Sequence, residues 1–522
     1  MDTVTKHLRI DLAERTPSSP FIFGHNLEHT RACVSGGLSA QMLRNRKFAG
    51  RPQARKGVSA EWYAIGEKAF FCNDTDPYVR HYKENGMWRR NERNAQTVQN
   101  PIAGQPAGIG QRGLCLQEGK RYIAAVVARC DRPVTLDIAL LDGSGQTVAM
   151  SALSLEGAGW KRYETALTAA GSDREGQIIF TFRQQAEVIF GAVSLLPEDH
   201  FHGMRADVVS LMKDMGIGML RWPGGNFAGE YRWQDMFLPA DERAPLQAYM
   251  EDETQPYTHG YDMHEIDTDD FIALCREIGA EPFITVNLAW DTPEECAAWV
   301  EYCNGPADSR YGSLRAQRGH AEPYSVRYWS LGNEMGHGHM EGPMTPERYA
   351  SLCRPAAEAM LAVSPELRIC NSGPFTAHRH PKEWIEGSAK LLAPVSDYLS
   401  YHTYNPVRYD FTSPEGIRKT YEAVVSGAFE NEKELLAQRA VMPDTIHISY
   451  DEWNLWAEWF RSSNAMQGVY TACMLHMLLE NAAKVDMPIA CYFQPVGEGA
   501  IDIFPDGACY SANGQVFSLM KA

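Results

Sequence analysis

The feature that most constrains the fold is an alternation of helical and strand-like segments from about residue 200 to the end of the sequence. The segment ADVVSLMKDM has apolar residues at helical spacing, and Gly216 separates it from the strand-like run IGMLRWPGG. Six further strand-like runs follow helical segments, and FIFGHNLEH at 21–29 would precede them all as the first strand. The later runs are EPFITVNL, SVRYWSLGNE, ELRICNSGP, DYLSYHTYN, TIHISYDEW and MPIACYFQP. Eight such units predict a closed (β/α)8 TIM barrel, in the α/β class.

Two helix starts have capping chemistry that can be read directly. Thr292, Pro293 and Glu295 fit an N-cap, a first helical position and the partner residue of a capping box. Thr345 and Pro346 repeat the Thr-Pro start. We therefore expect helices to begin at these two places.

Residues 55–197 have a different texture, with short alternating runs separated by turn signals such as DGSG and EGAG. Examples are RYIAAVVARC, PVTLDIALL, QIIFTF and AEVIFGAVSL. They predict an antiparallel β-sandwich inserted after barrel strand one. The expected organisation is residues 1–54 as N-terminal segment and first strand, 55–197 as the sandwich, and 198–522 as the rest of the barrel.

Charge and cysteine usage narrow the class of partner and the compartment. The net charge of −17 argues against a nucleic acid or an anionic membrane, whereas a neutral sugar is compatible with it. The first residues contain no apolar signal-peptide region, and we find no apolar run long enough to span a membrane. The twelve cysteines form no CxxC pairs, so we predict reduced thiols in a cytoplasmic protein.

Polar side chains cluster where the predicted barrel strands end, and the carboxyl ends of all eight strands meet at one face of such a barrel. Two glutamates, Glu334 and Glu452, would face each other there. The strand-end residues are His25, Asn26, Glu28 and His29 on strand one, Arg221, Trp222 and Asn226 on strand two, Asn333 and Glu334 on strand four, His402 and Tyr404 on strand six, and Asp451, Glu452, Trp453 and Asn454 on strand seven.

A facing carboxyl pair is what glycoside hydrolysis requires. One carboxyl group donates a proton to the leaving oxygen, and the other, ionised, attacks the anomeric carbon. Aromatic side chains offer flat faces for sugar rings, while Asn and His offer directed hydrogen bonds to hydroxyl groups.

The motifs RWPGGNF, WSLGNE and DEWN, in this order, resemble glycoside hydrolase family 51, a family of clan A barrels that are mainly α-L-arabinofuranosidases. The opening GHNLEHTRACVSGGLSAQMLRNRKFAG is similar to the family's first-strand region. The inserted sandwich resembles a carbohydrate-binding-like module found in one branch of the family. The resemblance runs from about residue 20 to about 515.

This resemblance implies roles for individual residues. Glu334 matches the family's acid/base and Glu452 its nucleophile, in a retaining double displacement without metal or cofactor. The implied substrate-binding residues are Glu28, Asn226, Asn333, His402, Tyr404, Trp290 and Arg221. Among them Tyr404 would orient Glu452, and Arg221 would keep it ionised.

Departures from the family leave alternatives open. GHGHMEGPM after GNEM is unusual, and Trp290 stands where small residues are common, so Trp290 could narrow the pocket. Little sequence follows the last strand, where the family usually has a further β-sandwich. A related β-xylosidase, galactofuranosidase or endo-glucanase activity stays open beside an exo-acting α-L-arabinofuranosidase on an oligosaccharide or glycoside.

Other interpretations of single motifs also remain. A barrel that only binds carbohydrate would be expected to have lost one carboxylate. His337 and His339 form an HxH that could suggest a metal, although no third ligand is placed by spacing. Trp62 and Trp160 could be a sugar platform or sandwich core residues. Family analogy implies a homo-oligomer.

Overall fold

A computed structural model describes residues 17–50, 52–53, 56–84, 87–247, 260–336, 344–373, 381–407, 409–456 and 463–521. Its strands in chain order are β1 (Gly24–Asn26), β2 (Tyr63–Ile65), β3 (Phe70–Glu84), β4 (Met87–Asn100), β5 (Ala107–Leu116), β6 (Arg121–Cys130), β7 (Val134–Leu141), β8 (Thr147–Leu155), β9 (Lys161–Thr168), β10 (Asp173–Phe182) and β11 (Ala186–Pro197). The later strands are β12 (Met219–Trp222), β13 (Leu246–Gln247), β14 (Tyr261–Asp262), β15 (Glu281–Val286), β16 (Tyr328–Leu331), β17 (Arg368–Asn371), β18 (Tyr398–Pro406), β19 (His447–Trp456), β20 (Ile489–Phe493), β21 (Ile501–Phe504) and β22 (Gly507–Tyr510).

The α-helices of the described residues alternate with the later strands. They are α1 (Ala206–Met215), α2 (Thr268–Ile278), α3 (Pro293–Asn304), α4 (Arg310–Gln317), α5 (Pro346–Val363), α6 (Pro381–Leu392), α7 (Pro414–Arg439), α8 (Ala465–Asn481) and α9 (Ala512–Met520). None of them is long and apolar enough to cross a lipid bilayer.

The predicted barrel is confirmed. β1, β12, β15, β16, β17, β18, β19 and β20 form a closed barrel in that order, and β20 pairs in parallel with β1. The first strand is shorter than expected, because Pro20–Phe23 forms a 3-10 turn before β1 begins at Gly24.

Local capping explains where the barrel helices start and stop. Thr292 caps α3 in a reciprocal capping box with Glu295, and Pro293 occupies the first turn as predicted. Thr345 caps α5 in the same Thr-Pro arrangement. The helix α1 ends at Gly216, whose φ of 70° lies in the left-handed region that a residue with a side chain disfavours.

The insert is a β-sandwich of two five-stranded antiparallel sheets, β2-β5-β10-β7-β8 and β3-β4-β11-β6-β9. Ile138 and Phe180 from the first sheet pack in one core with Val126 and Val188 from the second. Trp62 is buried in this core and donates from Nε1 to the Asn45 carbonyl (3.1 Å), so it is a core residue.

Trp160 is half-buried, and the Arg129 guanidinium lies 4.8 Å from its ring centroid. Leu43 and Phe48 pack in the sandwich core although they precede residue 55. The division into 1–54, 55–197 and 198–522 stays a prediction.

The sandwich and the barrel are joined by buried charges. Arg46 is almost fully buried and donates from Nε to Glu265 and from Nη1 to Asp241, both at 2.7 Å. Next to it, Lys47 Nζ donates to the carbonyls of Arg243 (3.0 Å) and Met263 (2.5 Å). Burial lowers the pKa of Lys47 well below its ordinary value, because a charged amine is costly where only carbonyls solvate it.

Candidate active site

The predicted strand-end residues converge at the carboxyl face of the barrel. Glu334 and Glu452 are each about nineteen-twentieths buried, with exposed fractions of 6% and 5%. One oxygen of each lies within 4.8 Å of the other, although the two residues are 118 positions apart in the chain. The two carboxylates therefore face a common space, as the strand positions predicted.

His402 lies between the two carboxylates. Its Nδ1 is 2.8 Å from Glu334 Oε1 and 3.0 Å from Glu452 Oε2. Its Nε2 is 3.1 Å from Asp451 Oδ1. Burial lowers the pKa of His402, but the charge of Glu452 and the hydrogen bond to Asp451 outweigh burial and raise that pKa well above its ordinary value. These contacts favour the protonated, imidazolium form of the ring.

Asp451 is a functional neighbour whose role the sequence did not reveal. Side chains alternate along a regular strand, so Asp451 and Glu452 should point to opposite faces. The pairing of β19 shifts register against β18 and against β20 at this point. A bulge of this kind lets consecutive residues face the same side, and both carboxylates contact His402. Ser400 Oγ also donates to Asp451 Oδ1 (2.7 Å).

Arg221 supplies a second buried positive charge. Its Nε lies 3.7 Å from Asp451 Oδ2 and its Nη1 lies 3.6 Å from Glu452 Oε2. Burial lowers the pKa of Arg221, but Asp451 and Glu452 raise it overall. The pKa of Asp451 is correspondingly lowered, because Arg221 and His402 offset its burial.

Tyr404 also contacts Glu452, as predicted. Its hydroxyl donates to Glu452 Oε1 at 2.8 Å. Glu452 thus has one oxygen oriented by a phenol and the other beside two cationic side chains. These contacts hold the Glu452 carboxyl group in one orientation.

The amides predicted to bind hydroxyl groups form a row beside the carboxylates. Arg221 Nη2 donates to Asn333 Oδ1 (2.7 Å), and Asn333 Nδ2 donates to Asn226 Oδ1 (3.1 Å). Glu334, which follows Asn333, has a φ of 45°. This left-handed conformation is uncommon outside glycine and is often found at functional sites.

Glu28 closes the other side of the space. Its Oε1 accepts from the Phe227 backbone N–H (2.9 Å), and its Oε2 accepts from Thr30 Oγ1 (3.1 Å). Burial and the charge of Glu452 raise the pKa of Glu28. A Cβ atom on Gly225 would lie 3.0 Å from Glu452 Oε1 and 3.2 Å from Glu28 Oε1. The absence of a side chain at Gly225 therefore leaves room between the two glutamates.

Gln494 and Trp290 also lie at the carboxyl end of the barrel strands. Gln494 is fully buried after β20, and its Nε2 lies 3.4 Å from the Thr30 carbonyl, beside Glu28. No sequence motif singled out this residue. Trp290 is half-buried in the turn after β15, at the same end of the barrel, and stays a predicted wall of the pocket.

Two sets of residues carry side chains of the types that bind metal ions. His337 and His339 lie outside the described residues. Glu334, His402 and Glu452 each place one ligand-type atom within 4.8 Å of the others. The same atoms contact one another directly, with His402 Nδ1 beside an oxygen of each glutamate, as in a hydrogen-bonded cluster.

Comparisons with known proteins point in one direction. The family described as "Alpha-L-arabinofuranosidase 1 domain" matches residues 211–415. The "Probable alpha-L-arabinofuranosidase C" of Aspergillus fumigatus is 30% identical over 270 residues, which are 49% of this chain and 51% of that protein. The chain thus spans about half the length of the fungal relatives it matches. The "Intracellular exo-alpha-(1->5)-L-arabinofuranosidase" of Halalkalibacterium halodurans is 28% identical over 327 residues, covering 58% of this chain and 62% of that protein.

Solved structures agree on the fold. An arabinose-bound α-L-arabinofuranosidase of glycoside hydrolase family 51 superposes over 96% of this chain and 80% of its own, with a TM-score of 0.73 and 17% identity. The Thermotoga maritima α-L-arabinofuranosidase in its arabinose complex covers 61% of this chain and 64% of its own, with a TM-score of 0.53 and 29% identity.

Proposed function

We propose that this protein belongs to glycoside hydrolase family 51 and is a retaining, exo-acting α-L-arabinofuranosidase, which its similarity to proteins of that name supports. The observation that carries the proposal is the approach of a Glu334 oxygen to within 4.8 Å of a Glu452 oxygen. Retaining glycosidases place their carboxyl groups roughly 5–5.5 Å apart, whereas inverting enzymes need roughly 6.5–9.5 Å to admit a water molecule.

Glu452 is the nucleophile in this mechanism. An ionised oxygen of Glu452 attacks the anomeric carbon, and the glycosidic bond to the leaving oxygen breaks. Tyr404 donates to Oε1, while Arg221 and His402 lie beside Oε2. These contacts orient the carboxyl group before substrate arrives.

Glu334 is the acid/base. In its protonated form it gives a proton to the departing oxygen, and as a carboxylate it then takes a proton from the water that releases the sugar. The neighbouring imidazolium of His402 touches both glutamates. We therefore assign His402 as a positioning residue that stabilises the carboxylate form of each in turn.

The remaining predicted residues hold the sugar. Asn333 and Asn226 present an ordered pair of amides, and Glu28 presents a carboxyl group across Gly225. Such fixed groups suit furanose hydroxyls, and a hydrogen bond to the 2-hydroxyl strengthens in the transition state.

The stereochemistry of the first product tests the mechanism. The enzyme is mixed with an aryl α-L-arabinofuranoside, and proton NMR follows the anomer released before mutarotation. Initial release of the α-anomer supports the proposal, whereas the β-anomer would contradict it. Parallel assays with aryl β-xylopyranoside and galactofuranoside decide between this activity and its siblings, and products from arabino-oligosaccharides distinguish exo from endo action.

We also propose a cytosolic location and self-association. The Halalkalibacterium relative is named as intracellular, and all twelve cysteines of this chain are free thiols, most of them buried. Cell fractionation tests the location, and light scattering tests the oligomeric state.

A further inference from the structure

A cleft of about 500 Å³ lies where the sandwich meets the barrel, and none of the proposed catalytic residues lines it. We name it the junction cleft. Its walls are the segment 35–44 after β1, Tyr122 and Lys120 of the sandwich, Arg205 before α1, and Phe504 of β21. Its volume falls within the range of roughly 300–1,000 Å³ typical of small-molecule sites, which often lie between domains.

The charged side chains of the junction cleft are paired. Two wall acids, Glu265 and Asp506, pair with Arg46 and Arg174, which lie outside the walls. Each of three cationic side chains in the walls also has an acidic partner. The pairs are Arg44 with Glu61, Lys120 with Asp199, and Arg205 with Asp207, with N···O distances of 2.7, 3.4 and 2.6 Å. A neutral ligand fits this arrangement.

The walls combine an exposed ring with hydrogen-bonding groups. Phe504 leaves 48% of its surface exposed at the junction cleft. His200 Nδ1 accepts from the Gly203 N–H (2.9 Å), so Nε2 carries the ring proton in the neutral form. Burial lowers the pKa of His200, which keeps that form at neutral pH. The side chain of Gln117 also lines the cleft. An aromatic face beside neutral donors and acceptors suits the apolar face and the hydroxyls of a sugar.

The junction cleft is continuous with the loops of the catalytic face. A Cβ atom on Gly37 would lie 3.0 Å from Val496 Cγ1, so the segment after β1 packs closely on the loop after β20. Arg31 Nε lies 3.8 Å from Glu498 Oε2 between the same two loops. These loops continue directly from the strand ends that hold Glu28 and Gln494. One wall of the junction cleft therefore packs against a loop of the catalytic face.

We propose that the junction cleft is a second carbohydrate-binding site, which holds a neutral pentose oligosaccharide while the carboxylates cleave a terminal residue. The choice of pentose oligosaccharide rests on the proposed function. Phe504 supplies the stacking face, and Gln117 and His200 bind hydroxyl groups.

Calorimetric titration of arabinotriose and of xylotriose into the inactive Glu452→Gln protein tests the proposal. Phe504→Ala in this background should weaken binding of at least one trisaccharide about tenfold or remove one site, since stacking is lost. The matched control is Phe429→Ala, because Phe429 is an exposed phenylalanine of α7, and it should leave the isotherm unchanged. Identical isotherms for all three proteins would overturn the proposal.

A second variant reduces the free volume of the junction cleft. Gln117→Trp should fill the junction cleft and weaken binding as Phe504→Ala does, with thermal unfolding showing that each variant folds. Tighter binding of a galacturonate trimer than of either neutral probe would overturn the assignment of a neutral ligand. Turnover of an aryl arabinofuranoside by the unmodified protein is measured alongside. If the unmodified protein does not hydrolyse this substrate but trisaccharide binding still depends on Phe504, the proposed function is contradicted. The assignment of the junction cleft as a carbohydrate site is not contradicted by that result.

Discussion

Nδ1 of His402 lies 2.8 Å from Oε1 of Glu334, so a buried imidazolium touches the proposed acid/base directly. The same nitrogen is 3.0 Å from Glu452. In the proposed double displacement one of the two carboxyl groups is ionised at a time, and the positive ring lies beside whichever group carries the charge.

Replacing His402 should impair catalysis through the two glutamates. We expect His402→Gln to lower kcat/KM about 100-fold, a typical effect for a perturbed acid–base group. Loss of the cation raises the pKa of an adjacent carboxyl group, so the alkaline limb of the pH–rate profile should move to higher pH. Measurement of kcat/KM from about pH 4 to about pH 10 tests this shift, because the range spans the reference pKa values of carboxyl and imidazole groups. A uniform loss of rate with an unmoved profile would indicate a purely structural role.

The raised pKa of His402 also makes stability depend on pH. Its folded value lies above the unfolded value of about 6.5. The resulting contribution to the free energy of unfolding is complete below about pH 6.5 and is lost as pH rises through the folded value. Denaturant titrations of the wild type and His402→Gln should show a stability difference that shrinks toward alkaline pH. A difference that grows with pH would contradict the assignment of an imidazolium.

Removal of the proposed nucleophile should abolish most activity. Glu452→Ala is expected to reduce kcat by roughly 10⁴-fold or more, since no covalent intermediate can form. Azide should fit the vacated space and attack from the same side, giving a glycosyl azide of inverted configuration. Product NMR with and without azide checks this. Turnover close to wild type would remove Glu452 from the nucleophile role.

Replacement of the proposed acid/base should slow hydrolysis to a degree that depends on the leaving group of the substrate. Glu334→Ala should slow arabino-oligosaccharides far more than aryl arabinofuranosides, because a good leaving group needs little protonation. Comparison of kcat/KM for the two substrate classes measures the effect. Equal losses on both would place the acid elsewhere.

Gly225→Ala should impair activity, because the site leaves little room for a side chain at this position. A methyl group there would lie 3.0 Å from Glu452 Oε1 and 3.2 Å from Glu28 Oε1, so Gly225→Ala should displace one carboxylate and reduce kcat/KM about 100-fold. The unfolding midpoint of the variant is measured alongside, so that a loss of activity is separated from a loss of stability. Gly159→Ala is the matched control, since a Cβ there meets nothing within 4 Å. Full activity in Gly225→Ala would show that the carboxylates tolerate the added methyl group.

The buried charges between sandwich and barrel predict a large effect on stability. Arg46→Ala leaves Asp241 and Glu265 without their buried partner and should cost about 3–5 kcal/mol of unfolding free energy. Arg162 also pairs with Asp241 (2.9 Å) but is 44% exposed, so Arg162→Ala should cost at most about 1 kcal/mol. Denaturant titration of both variants measures the contrast. Similar small losses would mean that water replaces Arg46 at the junction.

The sequence determined the barrel and the strand ends that carry polar groups. Helical and strand periodicities alternate after residue 200 because each strand and helix must bury an apolar face. Short-range rules fixed details such as the Thr292 capping box, whose partners are three residues apart. Glu334 and Glu452 could be paired in advance because the strands of a closed parallel barrel deliver their carboxyl ends to one face.

Only the tertiary structure decided how the side chains around those glutamates are arranged. Alternation along a strand would have turned Asp451 away from Glu452, whereas the register shift in β19 brings both to His402. Gln494 and Thr30 meet across 464 positions with no shared motif. The junction cleft likewise exists only because the sandwich and the barrel pack against each other. Such contacts depend on bulges, loop paths and packing, whereas sequence periodicity reports only which residues share a face.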